Sequence, residues 1–583
     1  MYLDEPQFIQ VARSAITNSW WFPQGTTWTF FGKTYPNMAS ETHPAVVEYY
    51  LAILIKLFGS FDEPTFRLLF AIFPILAILS FYRIARRFTA HPFLVSCLFA
   101  VSPAFLVLSP TLMMDIPMLA FLLAGLSVHF GALDTGKRLW LSSTCFALAA
   151  GTGYTALVPV ACLFVWTVIN RRPMREWIAI AAVPAVVFIW HGILRFHFGE
   201  WPASELIKYY TSHFSFDQLV FPMLSFIGGI SIFPWTYLVF MERPTVRHLV
   251  PLSTLSALVL TLFHPWPSIF YRLWWVVLAS SGIGLLVLFA VKSTRPIRRD
   301  KPLAYGFLII WLPGVLLFLL LFSEMISARY LLLGLPPLFL IVFDRIRPAP
   351  AVYAIAATAM LSGALAVADY RLVNSYPRWV LHNIVPLQRQ GFRVWNSGES
   401  GLRFYLEEEG IQTLESSDNR PTGGDLVIRQ ASFKYGLSKD LEPLLINIRR
   451  HDLSDSYPVR TISRYAGAGF HDSHFGDVPY ILSLKPLDQL EVNEVSPFVT
   501  SLPEVVPQDF SSVPVWFPGG VLLKQTQLEM KFRIRIPRDT KAEYDLEGKG
   551  AVILSEDGII LKRENSDPIV WKNFRIVPNT HEP

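Results

Sequence analysis

The residues best suited to chemistry are acidic and lie far apart in the chain. Asp4 and Glu5 stand side by side in "MYLDEPQFIQVARSA", with Arg13 further along the same stretch. Asp115 lies in "SPTLMMDIPML", and Glu324 and Arg329 in "SEMISARYLLLGLPP". A carboxylate within hydrogen-bond reach of a hydroxyl can take its proton. A guanidinium, or a divalent metal held by carboxylates, can stabilise a departing phosphate. Each acid also has a plainer reading. Asp115 could cap a helix, since an Asp at that place accepts backbone N–H bonds and suits the dipole. Glu324 could pair with Arg329, and Asp4 and Glu5 could be a solvated terminus.

The elements that must position these groups lie in lipid. The chain has 583 residues, of which 52% are hydrophobic and only 16% charged. That balance excludes an ordinary soluble protein with a polar shell, and a carboxylate held beside a membrane span is a functional candidate by default. Apolar stretches near the length of a bilayer-spanning helix recur between residues 66 and 367 and predict about twelve spans. Basic loops test their order: "RIARRF", "NRRPMR", "ERPTVRH", "KSTRPIRRDK" and "DRIR" all fall on one side if the spans alternate. That side is the cytoplasm, and it accounts for the net charge of +5 without a nucleic-acid partner. Residues 1–65 and everything after about 368 are then external.

"HPAVVEYYLAILIKLFG" (43–59) is apolar, yet a crossing there would invert every later loop, so it is expected to lie along the outer surface. An exported amino-terminal segment needs a helix ahead of it, so a thirteenth span is expected to precede Met1. Beyond residue 370 the pattern changes. "FRVWNS" and "GDLVIRQ" read as strands around the helix "GESGLRFYLEEEG", a small α/β domain over 371–486. Alternating runs such as "LEMKFRIRIP" and "GIILKRE" suggest a β-sandwich over 487–583. The fold class expected is therefore an α-helical multi-pass membrane domain over 1–370 followed by an exported α/β and β-rich region. The three cysteines, Cys97, Cys145 and Cys162, all fall in apolar segments, so the soluble third offers no disulfide or thiolate metal site. His213 and His264 are external loop residues, and the aromatics Trp20, Trp21, Trp28, Phe30, Phe31 and Tyr35 suit interfacial anchors.

Four motifs in order carry a resemblance: "DEPQF" before a long external loop, "HPAVVEYYLAILIKLFG", "SPTLMMDIPMLAFLLAGL" and "ARYLLLGLPPL". Over residues 1–370 the chain resembles the GT-C glycosyltransferases, in the branch with protein O-mannosyltransferases and lipid A aminoarabinose transferases. The resemblance implies about 11 to 13 spans, a sugar taken from a polyprenyl phosphate, and an acidic residue in the first external loop. It matches Asp4 to that acid and Asp115 to a second acidic position, places His43 and Pro44 at the start of the surface helix, and puts Arg329 and Tyr330 near the lipid phosphate. Two departures stand out: "HPA" where many relatives have "HPP", and no lysine near the turn "GTGYTALVP".

On this reading Asp4 is the base, Glu5 and Asp115 orient it or share a divalent metal (Mg or Mn), and Arg13 and Arg329 face the phosphate, with His43, Glu324 and Tyr330 against substrate. The expected donor is a polyprenyl-phosphate-linked sugar and the acceptor a lipid, glycan or protein, in a cytoplasmic membrane with the C-terminal part periplasmic or extracellular. A lipid or glycan transporter, or a non-enzymatic envelope-assembly protein, are the rival readings. A transporter tends to show repeated halves and charges at mid-membrane.

Overall fold

The computed structural model describes residues 4–37, 44–135, 138–202, 217–241, 243–294 and 304–495, with strand pieces 499–500, 515–517, 520–523, 529–533, 540–555, 558–563 and 569–578 beyond. Contacts divide the chain into two units. One comprises residues 1–28, 35–376 and 453–488, the other 29–34, 377–452 and 489–583. The membrane part predicted over 1–370 thus has its contact boundary at Tyr376/Pro377, and residues 453–488 count with the helices rather than with the small α/β domain.

The first unit is a multi-pass membrane structure. Five of its described helices are long and apolar enough to cross a bilayer: Glu63–Phe88, Met174–Phe198, Ile269–Thr294, Tyr305–Phe322 and one starting at Pro348. Six shorter apolar helices accompany them, including Asp115–Gly131 and Ala328–Val342. The apolar stretch 92–109 forms two helices, Pro92–Ala100 and Pro103–Leu108. Pro103 has no N–H to continue the ladder, and the Ser102 hydroxyl bonds back to the Phe99 carbonyl at 2.7 Å. Val46–Phe58, the expected surface helix, has 13 residues and stops at Gly59, whose φ of 79° suits a residue without Cβ. It is too short to span a bilayer alone.

Small residues bring two helices of this unit into backbone contact. A Cβ at Gly228 would stand 1.9 Å from the Leu278 carbonyl oxygen, and one at Gly282 2.1 Å from that of Leu224. Only glycine permits this crossing of Asp217–Ile230 with Ile269–Thr294.

In the second unit, strands Val394–Ser397, Gln412–Thr413 and Leu426–Gln430 run parallel, as a strand–helix–strand pattern requires, and Asp488–Val495 adds antiparallel to Leu426–Gln430. The five-stranded sheet ends with Leu445–Leu453. Its core holds Trp395, Leu414, Val427, Tyr435, Leu437 and Val495. Further along, the described strands form two four-stranded antiparallel sheets. A short hairpin from the amino-terminal loop also belongs here. Its turn, Phe31–Gly32, has φ of 45° and 72°, the left-handed pair that a tight two-residue hairpin demands.

Candidate active site

Asp115 opens the helix Asp115–Thr135, and its side chain is buried. A carboxylate there suits the helix dipole, but the described bond goes elsewhere: Oδ2 accepts from Nε of Arg329 at 2.9 Å. Nη1 of the same guanidinium donates to Oδ2 of Asp4 at 2.7 Å. Segments 214 and 325 residues from Arg329 therefore meet on one cation. The Arg329 side chain is 4% exposed, that of Asp115 2% and that of Asp4 37%. A cation buried this deeply is tolerated because two carboxylates compensate it. Of the three, Asp4 is the most exposed.

Arg329 sits in a one-turn helix, Ala328–Leu331, whose entry is fixed by the Ser327 hydroxyl accepting from the Arg329 N–H at 3.1 Å. Tyr330 is half-buried against the hydrophobic core of the first unit, and Glu324 is half-buried in the loop ahead of it.

Glu5 faces another way. Its carboxylate is fully buried and receives both ends of Arg67, at 2.8 and 2.9 Å, in a fork of the kind that gives arginine–carboxylate pairs their strength. Oε1 also accepts from the Leu112 N–H at 2.7 Å, while Arg67 donates to the Pro110 carbonyl at 2.8 Å and to Glu63 at 2.7 Å. Glu5 and Arg67 thus tie the start of the first helix to the loop that leads into Asp115. The next residue back is Asp4 and the loop ends at Asp115, so this lock constrains where those two carboxylates sit.

Arg13 lies on the exposed side of the Glu5–Thr17 helix, whose other face buries Phe8, Ile9, Val11, Ala12 and Ala15. His43 and His213 lie outside the described residues, and Pro44 precedes the surface helix. His264 pairs with Asp477 at 3.1 Å. Glu48, in the first turn of that helix, is buried, and desolvation pushes its carboxyl up to about 8.

The donor set does not favour a shared metal. A guanidinium already stands between Asp4 and Asp115, and no group of three or more His, Cys, Asp or Glu suited to an ion occurs among the described residues. Sequence reasoning did not find Arg67. Its stretch, "EPTFRLLF", reads as an ordinary helix start, and the only hint is Glu63 four residues before it.

Residues 42–194 match the family model described as dolichyl-phosphate-mannose-protein mannosyltransferase, which bears out the resemblance read from the motifs. The crystal structure of ArnT from Cupriavidus metallidurans bound to undecaprenyl phosphate is similar over 74% of this chain and 88% of that one, at 14% identity and a TM-score of 0.36. No curated protein matches the chain.

Proposed function

We propose that this chain is an integral-membrane glycosyltransferase that moves a sugar from a polyprenyl-phosphate donor to a hydroxyl of a lipid, glycan or protein acceptor on the external face of a cytoplasmic membrane. One observation carries the reading: Arg329, buried beside apolar helices, joins a reachable carboxylate, Asp4, to a buried one, Asp115.

In this mechanism Asp4 takes the acceptor's hydroxyl proton as the acceptor oxygen bonds to the anomeric carbon. The bond from that carbon to the phosphate oxygen breaks, and its electron pair leaves with the polyprenyl phosphate. The transition state is oxocarbenium-like, as in glycoside hydrolysis. Arg329 meets the charge developing on the phosphate, with Nη2 the donor we assign to it, while Asp115 holds the guanidinium in plane. Glu5 is a positioning residue acting through Arg67 and the 110–114 loop. Arg13, Tyr330, Glu324 and His43 are assigned to the lipid phosphate or sugar. The positive charge that a divalent ion would supply is carried here by Arg329.

The test uses membranes containing the protein and a radiolabelled polyprenyl-phosphate sugar. Transfer in the parent, falling roughly 100-fold or more in Asp4→Asn, is the expected result for loss of a general base. A chelator should change the parent rate by less than about twofold if no ion takes part. An untouched donor with folded, inserted protein would favour the transporter or assembly readings. Full activity in Asp4→Asn would move the base elsewhere.

A further inference from the structure

The backbone just before Arg329 is held from far along the chain. Ile326 N–H donates to the Ser473 hydroxyl at 2.9 Å, and Ser473 N–H returns a bond to the Ile326 carbonyl at 2.9 Å. Ala328 N–H donates to the Phe470 carbonyl at 2.9 Å. Three hydrogen bonds thus fix residues 326–328, and the next residue is the guanidinium on which Asp4 and Asp115 meet.

The holding segment, "GAGFHDSHFGD" (467–477), is folded so tightly on itself that side chains are excluded at its turns. A Cβ at Gly469 would lie 2.4 Å from the Asp472 carbonyl oxygen, and one at Gly476 1.9 Å from that of Gly467. Gly467 has φ of +76°, and a Cβ there would enter the Tyr271 ring at 2.5 Å.

Both flanks of this strap are anchored in the same unit. On one side His471 and Asp369, each fully buried, face one another with Nε2 and Oδ2 3.0 Å apart, and the Thr461 hydroxyl donates to Oδ1 of Asp369 at 2.7 Å. Asp369 belongs to the long helix Pro348–Trp379. On the other side the Tyr271 hydroxyl accepts from Asp477 N–H at 2.8 Å and donates to the Gly467 carbonyl at 2.9 Å. Ser225 donates to the Asp477 carbonyl, and His264 pairs with the Asp477 carboxylate. Both helices of the glycine crossing therefore hold the strap. Desolvating a carboxylate and an imidazole is costly unless the pair is kept together, so the fold retains an expensive contact at this point.

We propose that residues 467–477 position the Arg329 guanidinium for sugar transfer, and that Asp369, His471 and Ser473 are positioning residues of that reaction. The proposal rests on the role given to Arg329 above. Small displacements of a group that meets transition-state charge are expensive in rate, whereas donor binding depends on the larger lipid surface.

The test combines two readouts on full-length protein in detergent. Hydrogen exchange over residues 323–330 should quicken in Ser473→Ala and in Asp369→Asn, with Ser473→Ala the milder change should Asp369→Asn fold poorly. The turnover of each variant should fall about tenfold with the donor KM within about twofold. In an Arg329→Lys background the same substitutions should add less than about twofold, because a strap acting through Arg329 has nothing further to misplace. Unchanged exchange at 326–328, or a full tenfold loss repeated in the Arg329→Lys background, would overturn the proposal. Where Arg329→Lys has no measurable turnover, the exchange result decides. If the parent transfers no sugar while the strap substitutions still release these amides, the strap's hold on Arg329 stands and the glycosyltransferase reading falls.

Discussion

Glu5 in the first unit and Glu399 in the second are both buried acids, and they are stabilised in different ways. Glu5 takes a two-pronged guanidinium at 2.8 and 2.9 Å plus the Leu112 N–H. Glu399 has Arg403 only at 3.5 Å, and its close contact is the neutral Phe31 N–H at 2.8 Å from the amino-terminal hairpin. Burial pushes the Glu399 carboxyl up to about 7, with Arg403 and the Phe31 N–H opposing. The first arrangement suits a site whose charges must stay fixed. The second predicts that the contact of residues 29–34 with Glu399 weakens as that carboxyl ionises.

The sharpest way to break this comparison is to remove the cation at the candidate site. Arg329→Met leaves Asp115 buried without its partner. Stability should fall by about 3–5 kcal/mol, as for other broken buried pairs, and transfer by roughly 100- to 1,000-fold. Thermal unfolding in detergent and the labelled-donor assay check the two effects. Glu5→Gln is next. It keeps the shape but loses the charge under Arg67, so a stability loss of about 2 kcal/mol is expected for charge-assisted bonds of this kind, with transfer down roughly tenfold through misplacement of Asp4. A loss as large as that of Asp4→Asn would argue that Glu5 touches substrate.

The smallest effect is expected at Glu399. A folded pKa raised above its unfolded value of 4.5 contributes stability that is full below that value and is lost as pH rises through about 7. Protection of the Phe31 amide against exchange should therefore decline between about pH 5 and 8 in the parent. In Glu399→Gln, which keeps an acceptor but cannot ionise, the protection should be flat across that range. Transfer at a fixed pH should change by less than about twofold, as for a substitution away from the charged site.

What could be read from the sequence follows the range of the forces involved. Membrane spans, the parallel strands and the helix between them are local patterns of period and length, and they stand out without a partner. Asp4, Asp115 and Arg329 were conspicuous because charge beside apolar sequence is costly. Their sharing of one site came from the family resemblance alone, since nothing in the chain itself marks pairings across 214 or 325 residues. Arg67 was missed for the same reason, and so was the membership of 453–488 in the helical unit. The glycine spacing of "YAGAGFHDSHFGD" was the available signal for a tightly folded strap, although it says nothing about what the strap holds. Phe30 and Phe31 suit interfacial anchors by type, while Gly32 beside them is tied to Ser416 of the second unit. Gly32 has its carbonyl bonded to the Ser416 N–H at 2.6 Å, and a Cβ there would meet the Ser416 hydroxyl at 2.1 Å.

The strap also sets a schedule for biosynthesis. Arg329 emerges from the ribosome well before His471 and Ser473, so the helices can insert into lipid while the guanidinium still lacks its backbone support. A nascent chain of this kind would pass through a stage at which the 326–328 backbone is made but still lacks its partners at 470 and 473. Those hydrogen bonds form only once the later segment folds back.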